Sequence, residues 1–369
     1  MKMAISIVSV ILILLIAAGV IFIHQPSFGR LPRGERKERI IQSPQYRNGE
    51  FRNYHDTPLM TSGKSRFRSL SEFLLDKPEG VYPGNMVSAV KTDLKHLPAV
   101  QDVMVWFGHS SYLLQLSGKR FLVDPVFCMA SPVSFFNKPF HGTDIYDPED
   151  MPVIDYLVIT HDHWDHLDYH TVKRLKDRIG KVICPLGVGE HFEYWGFDNR
   201  KIIELDWRES ASLVPGFTVY CLPARHFSGR GLISNQTLWA SFLIESPSIN
   251  VYIGGDSGYD THYKEIGEQY GNIDLAILEN GQYSENWKYI HMMPYYLGRA
   301  AKELNAGQII TVHHSKYALS KHRWDEPLEN EKRAAAQDSL SLIISCIGEI
   351  IPLQSGKSLF KVDNRKSSR

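Results

Sequence analysis

Thr160-His161-Asp162-His163-Trp164-Asp165-His166 is the stretch that decides how this chain folds and what it can do. It ends an apolar run, Tyr156–Thr160, short enough for one strand. Open α/β sheets place ligand sites just beyond the carboxyl ends of their strands. Neutral imidazoles and carboxylates are the groups that zinc and similar divalent cations take as ligands. His161 and His163 stand two residues apart, so in an extended loop both point to one side. Asp165 and His166 follow where the chain turns toward a helical pattern of Val172, Leu175 and Ile179. The stretch therefore offers two pairs of ligands, half of what two adjacent metal sites need. A polar loop of surface histidines is the bland alternative. At this histidine content the spacing arises by chance on the order of once in several hundred such chains.

The missing ligands have candidates at other strand ends. His226 lies just past the run Phe217–Leu222, and His313 and His314 just past Ile309–Val312. Asp256 follows Val251–Ile253 behind Gly254-Gly255, glycines that let backbone approach a metal cluster closely. A carboxylate has two oxygens, so Asp256 can bridge two cations. Each of these residues alone is more often structural. Together with the first cluster, four strand ends converge on one metal-binding chemistry.

The rest of the sequence fits a layered α/β domain. Its 369 residues are 43% hydrophobic and 22% charged, which excludes global disorder, collagen and a coiled coil. Lys+Arg and Asp+Glu both number 41, so the basic excess of a nucleic-acid binder is missing. Cys128, Cys184, Cys221 and Cys346 form no C-x-x-C pair, against a disulfide framework or a thiolate zinc site. Further strand-like runs are Val103–Phe107, Phe121–Val123, Val182–Cys184, Trp239–Ile244 and Leu275–Leu278. The expected organisation is a membrane segment over 1–25, a polar basic linker and N-terminal extension over 26–95, a catalytic domain over 96–355 and a basic tail over 356–369. Leu70, Phe73 and Leu74 form a short helical patch inside the extension.

Met3 to Ile23 run without a charge, about the length of a membrane-spanning helix. A cleaved secretory signal is the alternative. Lys2 precedes the segment, whereas Arg30, Arg33, Arg36, Lys37 and Arg39 follow it. Cytoplasmic flanks carry the basic excess, so the expectation is a single-pass anchor with the catalytic body in the cytoplasm. Unpaired cysteines suit a reducing compartment.

H-x-H-x-D-H, a later His, G-D-S-G and a final His after a strand resemble the metallo-β-lactamase pattern. Closer in, WFGHSSYLLQLSGKRFLVDPVF (106–127), THDHWDHLD (160–168), GGDSGY (254–259), DLAILENGQY (274–283), HMMP (291–294) and VHHSKYALSKHRWDEP (312–327) are similar to one branch. That branch holds N-acylphosphatidylethanolamine-hydrolysing phospholipase D and its bacterial relatives, and the resemblance covers about residues 100–330. It implies a four-layer αβ/βα sandwich with two zinc ions, a ligand set that iron or manganese would also accept. On it, His161, His163 and His226 would bind one metal, and Asp165, His166 and His313 the other, with Asp256 bridging. The spacing to Tyr317-Ala318-Leu319 favours His313 over His314. His291 would lie near the substrate head group, and Asp165, Asp256 and His291 would be the catalytic residues. Glu279-Asn280-Gly281 and His322-Arg323 depart from the branch and are expected at the substrate entrance. His109 and Asp124 are expected to hydrogen-bond beneath the metals, Asp162 and His170 to face away or into solvent, and Trp164 to pack.

The implied function is a membrane-anchored zinc hydrolase that cleaves the phosphodiester of an N-acylphosphatidylethanolamine-type phospholipid by metal-hydroxide attack. Asp256 would orient the nucleophile and accept its proton. Hydrolysis of a soluble ester, lactone or phosphodiester is the alternative. A nuclease is disfavoured by zero net charge. A scaffold with a vestigial site predicts lost ligands, and all seven positions are filled.

Overall fold

A computed structural model of the protein describes residues 2–63 and 78–354. The patch at Leu70, Phe73 and Leu74 and the tail from 356 lie outside the described residues.

Among the described residues, a short hairpin of β1 (Tyr46–Arg47) and β2 (Glu50–Phe51) precedes two seven-stranded sheets that form the body. In the first, β3 (Val103–Trp106), β4 (Tyr112–Leu116) and β5 (Lys119–Val123) run antiparallel, flanked by β16 (Ile350–Pro352). Parallel pairing then adds β6 (Ile154–Val158), β7 (Ile179–Pro185) and β8 (Ile202–Leu205). The second repeats the plan. Its β9 (Ser210–Val214), β10 (Phe217–Leu222), β11 (Ser241–Glu245) and β12 (Asn250–Ile253) are antiparallel. Its β13 (Ile273–Glu279), β14 (Ala306–Val312) and β15 (Leu342–Ile343) continue in parallel.

Alternation along the strands explains the layers. Tyr112, Leu114, Phe121 and Val123 face the second sheet and meet Val219, Phe242, Val251 and Ile277. Leu113 and Leu122, one residue out of phase, face the other way. There they pack with helices α3 (Tyr169–Leu175) and α4 (Gly189–Tyr194), through Val172, Leu175 and Phe192. On the far side, Leu243, Tyr252 and Leu278 pack under α5 (His262–Tyr270), α6 (Leu297–Glu303) and α7 (Glu326–Asp338). The result is helix, sheet, sheet, helix, as the motifs implied. Ile179, expected to continue the helix of Val172 and Leu175, instead opens β7, where it pairs with Ile154.

The N-terminus corrects the expected anchor. Helix α1 runs over Lys2–Ile23, yet among the described residues no helix is long and apolar enough to cross a membrane. The flanking arginines do not stand free as a membrane flank either. Arg36, in α2 (Gly34–Gln42), donates to Glu204 Oε2 at 2.6 Å and to Glu190 Oε2 at 2.6 Å. Arg30 Nε reaches Glu190 Oε1 at 2.5 Å, and Arg39 Nη2 reaches Glu209 Oε2 at 2.5 Å. Their charges pair with the catalytic body, so the single-pass anchor and the topology built on it are not supported.

Candidate metal centre

The loops that leave β6, β10, β12 and β14 meet at one end of the sandwich, and both sheets contribute. His161 stands three residues past β6, Asp256 three past β12, and His313 directly after β14. Gly255 makes the approach possible: at φ +60, a Cβ there would sit 2.9 Å from Thr160 Cβ. His109, Asp124 and His313 also occupy the left-handed region, at φ +52, +40 and +69. Such conformations cost energy in non-glycine residues and persist where the surroundings dictate them.

Three nitrogens form the first group. His163 Nδ1 lies 2.9 Å from His161 Nε2 and 3.2 Å from His226 Nε2. The second group gathers Asp165, His166 and His313, with Asp165 Oδ2 3.7 Å from His166 Nε2 and 3.5 Å from His313 Nε2. Asp256 Oδ2 sits between the groups. It is 3.2 and 3.3 Å from His166 Nε2 and His313 Nε2, and 4.0 and 3.7 Å from His161 Nε2 and His226 Nε2. Each group brings its donor atoms close enough together to surround one cation.

Three of the histidines are turned by a partner on the other nitrogen, the arrangement of a metal-ligating imidazole. His166 Nδ1 donates to Asp124 Oδ2 at 2.8 Å. His161 Nδ1 donates to Thr160 Oγ1 at 3.0 Å, which donates onward to Asp124 Oδ2 at 2.6 Å. His226 Nδ1 donates to Ile290 O at 2.7 Å. His109 Nε2 donates to Asp165 Oδ2 at 2.8 Å and so orients that carboxylate.

Electrostatics match a cation. Burial pushes the imidazoles of His161 and His226 well below their ordinary pKa, and His163 below its own, so all three are neutral. Burial also works against charge on His166 and His313, but the Asp256 and Asp165 carboxylates overcome it. They hold His166 well up and His313 at about 10. Those two protons occupy the place where a cation would neutralise the carboxylates. Among the described residues, His166 Nε2, both ring nitrogens of His313 and Asp256 Oδ1 are buried with no hydrogen-bond partner. A buried polar atom left unpaired costs about 1–3 kcal/mol, which a bound cation removes. The residues present therefore fit a divalent metal.

Other positions sort clearly. His291 joins the cluster at its rim, with Nδ1 2.9 Å from Glu279 Oε2 and 3.9 Å from Asp256 Oδ2. His314 turns away to Thr311 Oγ1 at 3.1 Å, its ring tilted 58° against that of Trp106. His170 is exposed, but Asp162 is not. Asp162 is buried and accepts from Gly229 N at 2.7 Å, Thr237 Oγ1 at 2.9 Å and His191 Nε2 at 3.1 Å. Against the cost of burial, His191, helped by His163 and Arg230, holds its carboxyl well below the usual carboxylate range. Trp164 packs edge-on against Phe28 and under the Arg230 guanidinium, at 4.2 Å.

Two contributors, Arg230 and Asn53, were not foreseen, and a third, Glu279, was expected elsewhere. Arg230 is buried and donates to Asp162 O at 2.9 Å, Leu167 O at 2.5 Å and Ser27 O at 2.9 Å, tying the histidine loop to the N-terminal segment. Asn53, in the extension, brackets the His226 backbone: it accepts from His226 N at 3.1 Å and donates to His226 O at 2.8 Å. Glu279, expected at the substrate entrance, is 2% exposed and lies beside His291 and His313. A carboxylate closing the apolar strand Leu275–Leu278 was the signal that could have marked it.

A family profile described as the Beta-lactamase superfamily domain matches residues 119–314, more than half of the chain. An uncharacterized protein of Mycobacterium tuberculosis is 35% identical over 313 residues, 84% of each chain. N-acyl-phosphatidylethanolamine-hydrolyzing phospholipase D 1 of Caenorhabditis elegans is 34% identical over 231 residues, 58% of this chain and 64% of that protein. Among solved structures, the diiron β-hydroxylase CmlA from Streptomyces venezuelae shares the fold. Its TM-score is 0.55 at 18% identity, over 70% of this chain and 55% of that one. Two sheets that bring histidines and aspartates from four strand ends together, and a profile spanning those strands, lead to one conclusion: the chain belongs to the metallo-β-lactamase superfamily, among its metal-dependent hydrolases.

Proposed function

We propose that this protein hydrolyses a phosphodiester of an N-acylphosphatidylethanolamine-type phospholipid, releasing phosphatidic acid and an N-acylethanolamine. The observation that carries the reading is the pair of donor groups joined by Asp256, with buried atoms left unpaired toward a cation. Likeness to the nematode phospholipase D supports the substrate class. His161, His163 and His226 would hold one zinc ion, and Asp165, His166 and His313 a second, with Asp256 shared. When bound, two such ions would supply Lewis acidity and a water of lowered pKa. Asp256 would orient the attacking water and accept its proton. Against the cost of burial, His166 holds the Asp165 carboxyl well below the usual carboxylate range, with His109 and His313 adding to it. His291 is 14% exposed on its side chain, and with Nδ1 turned to Glu279 it has Nε2 left to meet the phosphoryl oxygens or the leaving alcohol.

A second reading rests on the pocket of about 300 Å³ beside His226. Arg47, Arg52, Asn53, His55 and Asp56 line it, a polar wall that suits a small soluble ester, lactone or phosphodiester better than an acyl chain. Product analysis by mass spectrometry separates the two. Metal-loaded protein is incubated with vesicles of N-acylphosphatidylethanolamine and ordinary phospholipids, with D165N as the control. N-acylethanolamine from the wild type alone supports the lipid reading. A protein with two bound metals that turns over no lipid overturns it in favour of the soluble substrate.

A further inference from the structure

Glu279 ends β13 with both carboxylate oxygens engaged, and they serve different purposes. Oε1 accepts from two backbone groups, Ser257 N at 2.9 Å and Met292 N at 2.5 Å. Oε2 faces two imidazoles, His291 Nδ1 at 2.9 Å and His313 Nδ1 at 3.3 Å. One side chain thus touches the segment after Asp256, the segment after His291 and the last histidine of the cluster. Space is kept for this crossing by Gly281, where a Cβ would lie 2.1 Å from His313 O.

We propose that Glu279 is a positioning residue that fixes the tautomers of His291 and His313, so that His313 Nε2 is held for the second metal and His291 Nε2 for substrate. This rests on the two-metal reading of the centre. Glu279 stands behind the ligands rather than among them: it meets the nitrogen of His313 opposite to the one that faces Asp165 and Asp256. A carboxylate serves both sides because its two oxygens are acceptors: Oε1 takes the two backbone N–H groups and Oε2 takes His291 Nδ1, with His313 Nδ1 3.3 Å away. A glutamine must place its NH2 against either the backbone pair or the imidazole pair. Facing the imidazoles, it donates to Nδ1 and drives the proton to Nε2, which then cannot bind metal.

The test measures metal before activity. Full-length wild type, E279Q, E279D and H291A are stripped with chelator, reloaded with zinc and dialysed against a competing chelator. Bound ions per chain and the absorption spectrum of the cobalt-loaded proteins are recorded. Melting of the metal-free proteins checks folding. Two ions are expected in the wild type and in H291A. In E279Q one ion stays, the other binds about 10–100-fold more weakly, and the cobalt spectrum changes. E279D, which keeps both acceptor oxygens, recovers part of the loss. If a folded E279Q holds both ions as tightly as the wild type with an unchanged spectrum, the role assigned to Glu279 is wrong. If E279Q does not fold, E279D at wild-type affinity for both ions overturns it equally. Fewer than two ions in the wild type would instead overturn the two-metal reading itself.

Discussion

Asp124 Oδ2 accepts the Nδ1 proton of His166 at 2.8 Å, and the same oxygen accepts from Thr160 Oγ1, to which His161 Nδ1 donates. One buried carboxylate thereby directs a histidine of each donor group. Asp124 sits one residue past β5, at the bottom of the site, with a backbone φ of +40 that its neighbours must enforce. D124N leaves one donor facing an NH2. It should weaken both metals about 10–100-fold and cost about 1–3 kcal/mol of stability. Metal titration with a competing chelator and a denaturant melt check this, and wild-type values in both would contradict the network.

The two donor groups make separable predictions. H163A or H226A should leave one metal per chain, and H166A or H313A should leave the other. D256N should weaken both, because Asp256 Oδ2 lies within 4.0 Å of nitrogens from each group. Elemental analysis of the purified variants reads the stoichiometry. A single-site loss that leaves two ions bound removes that residue from the ligand set.

Local chemistry was legible in the sequence, and long-range packing was not. The runs Val103–Phe107, Phe217–Leu222 and Ile309–Val312 reappear as β3, β10 and β14 because buried strands leave continuous apolar stretches. β9, Ser210–Val214, was passed over: it is an edge strand whose outer serines mask the pattern. The histidine loop declared itself because its ligands are neighbours in sequence. Asp162 was misread as facing away or into solvent because its partners His191, Gly229 and Thr237 come from elsewhere in the chain. The apolar start misled for a related reason. Charge counting cannot show that Arg30 and Arg36 are claimed by Glu190 and Glu204, residues more than 150 positions away.

Arg230 should be among the most sensitive positions outside the donor groups. Its guanidinium is buried, and burial draws its pKa down to about 10 despite the Asp162 carboxylate nearby. R230M would strand the carbonyls of Asp162, Leu167 and Ser27 and remove the cation over Trp164. Losing one partner of a buried charged network costs about 3–5 kcal/mol. R230K keeps the charge but not the planar fork and should lie between. Denaturant midpoints give the order. Limited proteolysis over residues 26–36 should speed up in R230M, since Ser27 loses its bond to the body, and equal cleavage rates would show that the segment docks without Arg230.

Glu331 gives the stability a pH dependence of known sign. It lies on α7, 3% exposed, and accepts from Thr311 Oγ1. Burial pushes its carboxyl up to about 7 from an ordinary 4.5, with the Thr311 bond opposing only in part. The folded state therefore binds the proton more tightly than the unfolded chain. Its contribution is fully present below pH 4.5 and is lost as the pH rises through 7. Across that window the loss comes to about 3 kcal/mol, since one pKa unit is about 1.4 kcal/mol. E331Q stays neutral at every pH and should match the wild type near pH 5 and exceed it near pH 8. Thermal melts of both proteins across pH 5–8 read the difference directly. A gap between them that does not change with pH would mean that Glu331 is already ionised in its buried place.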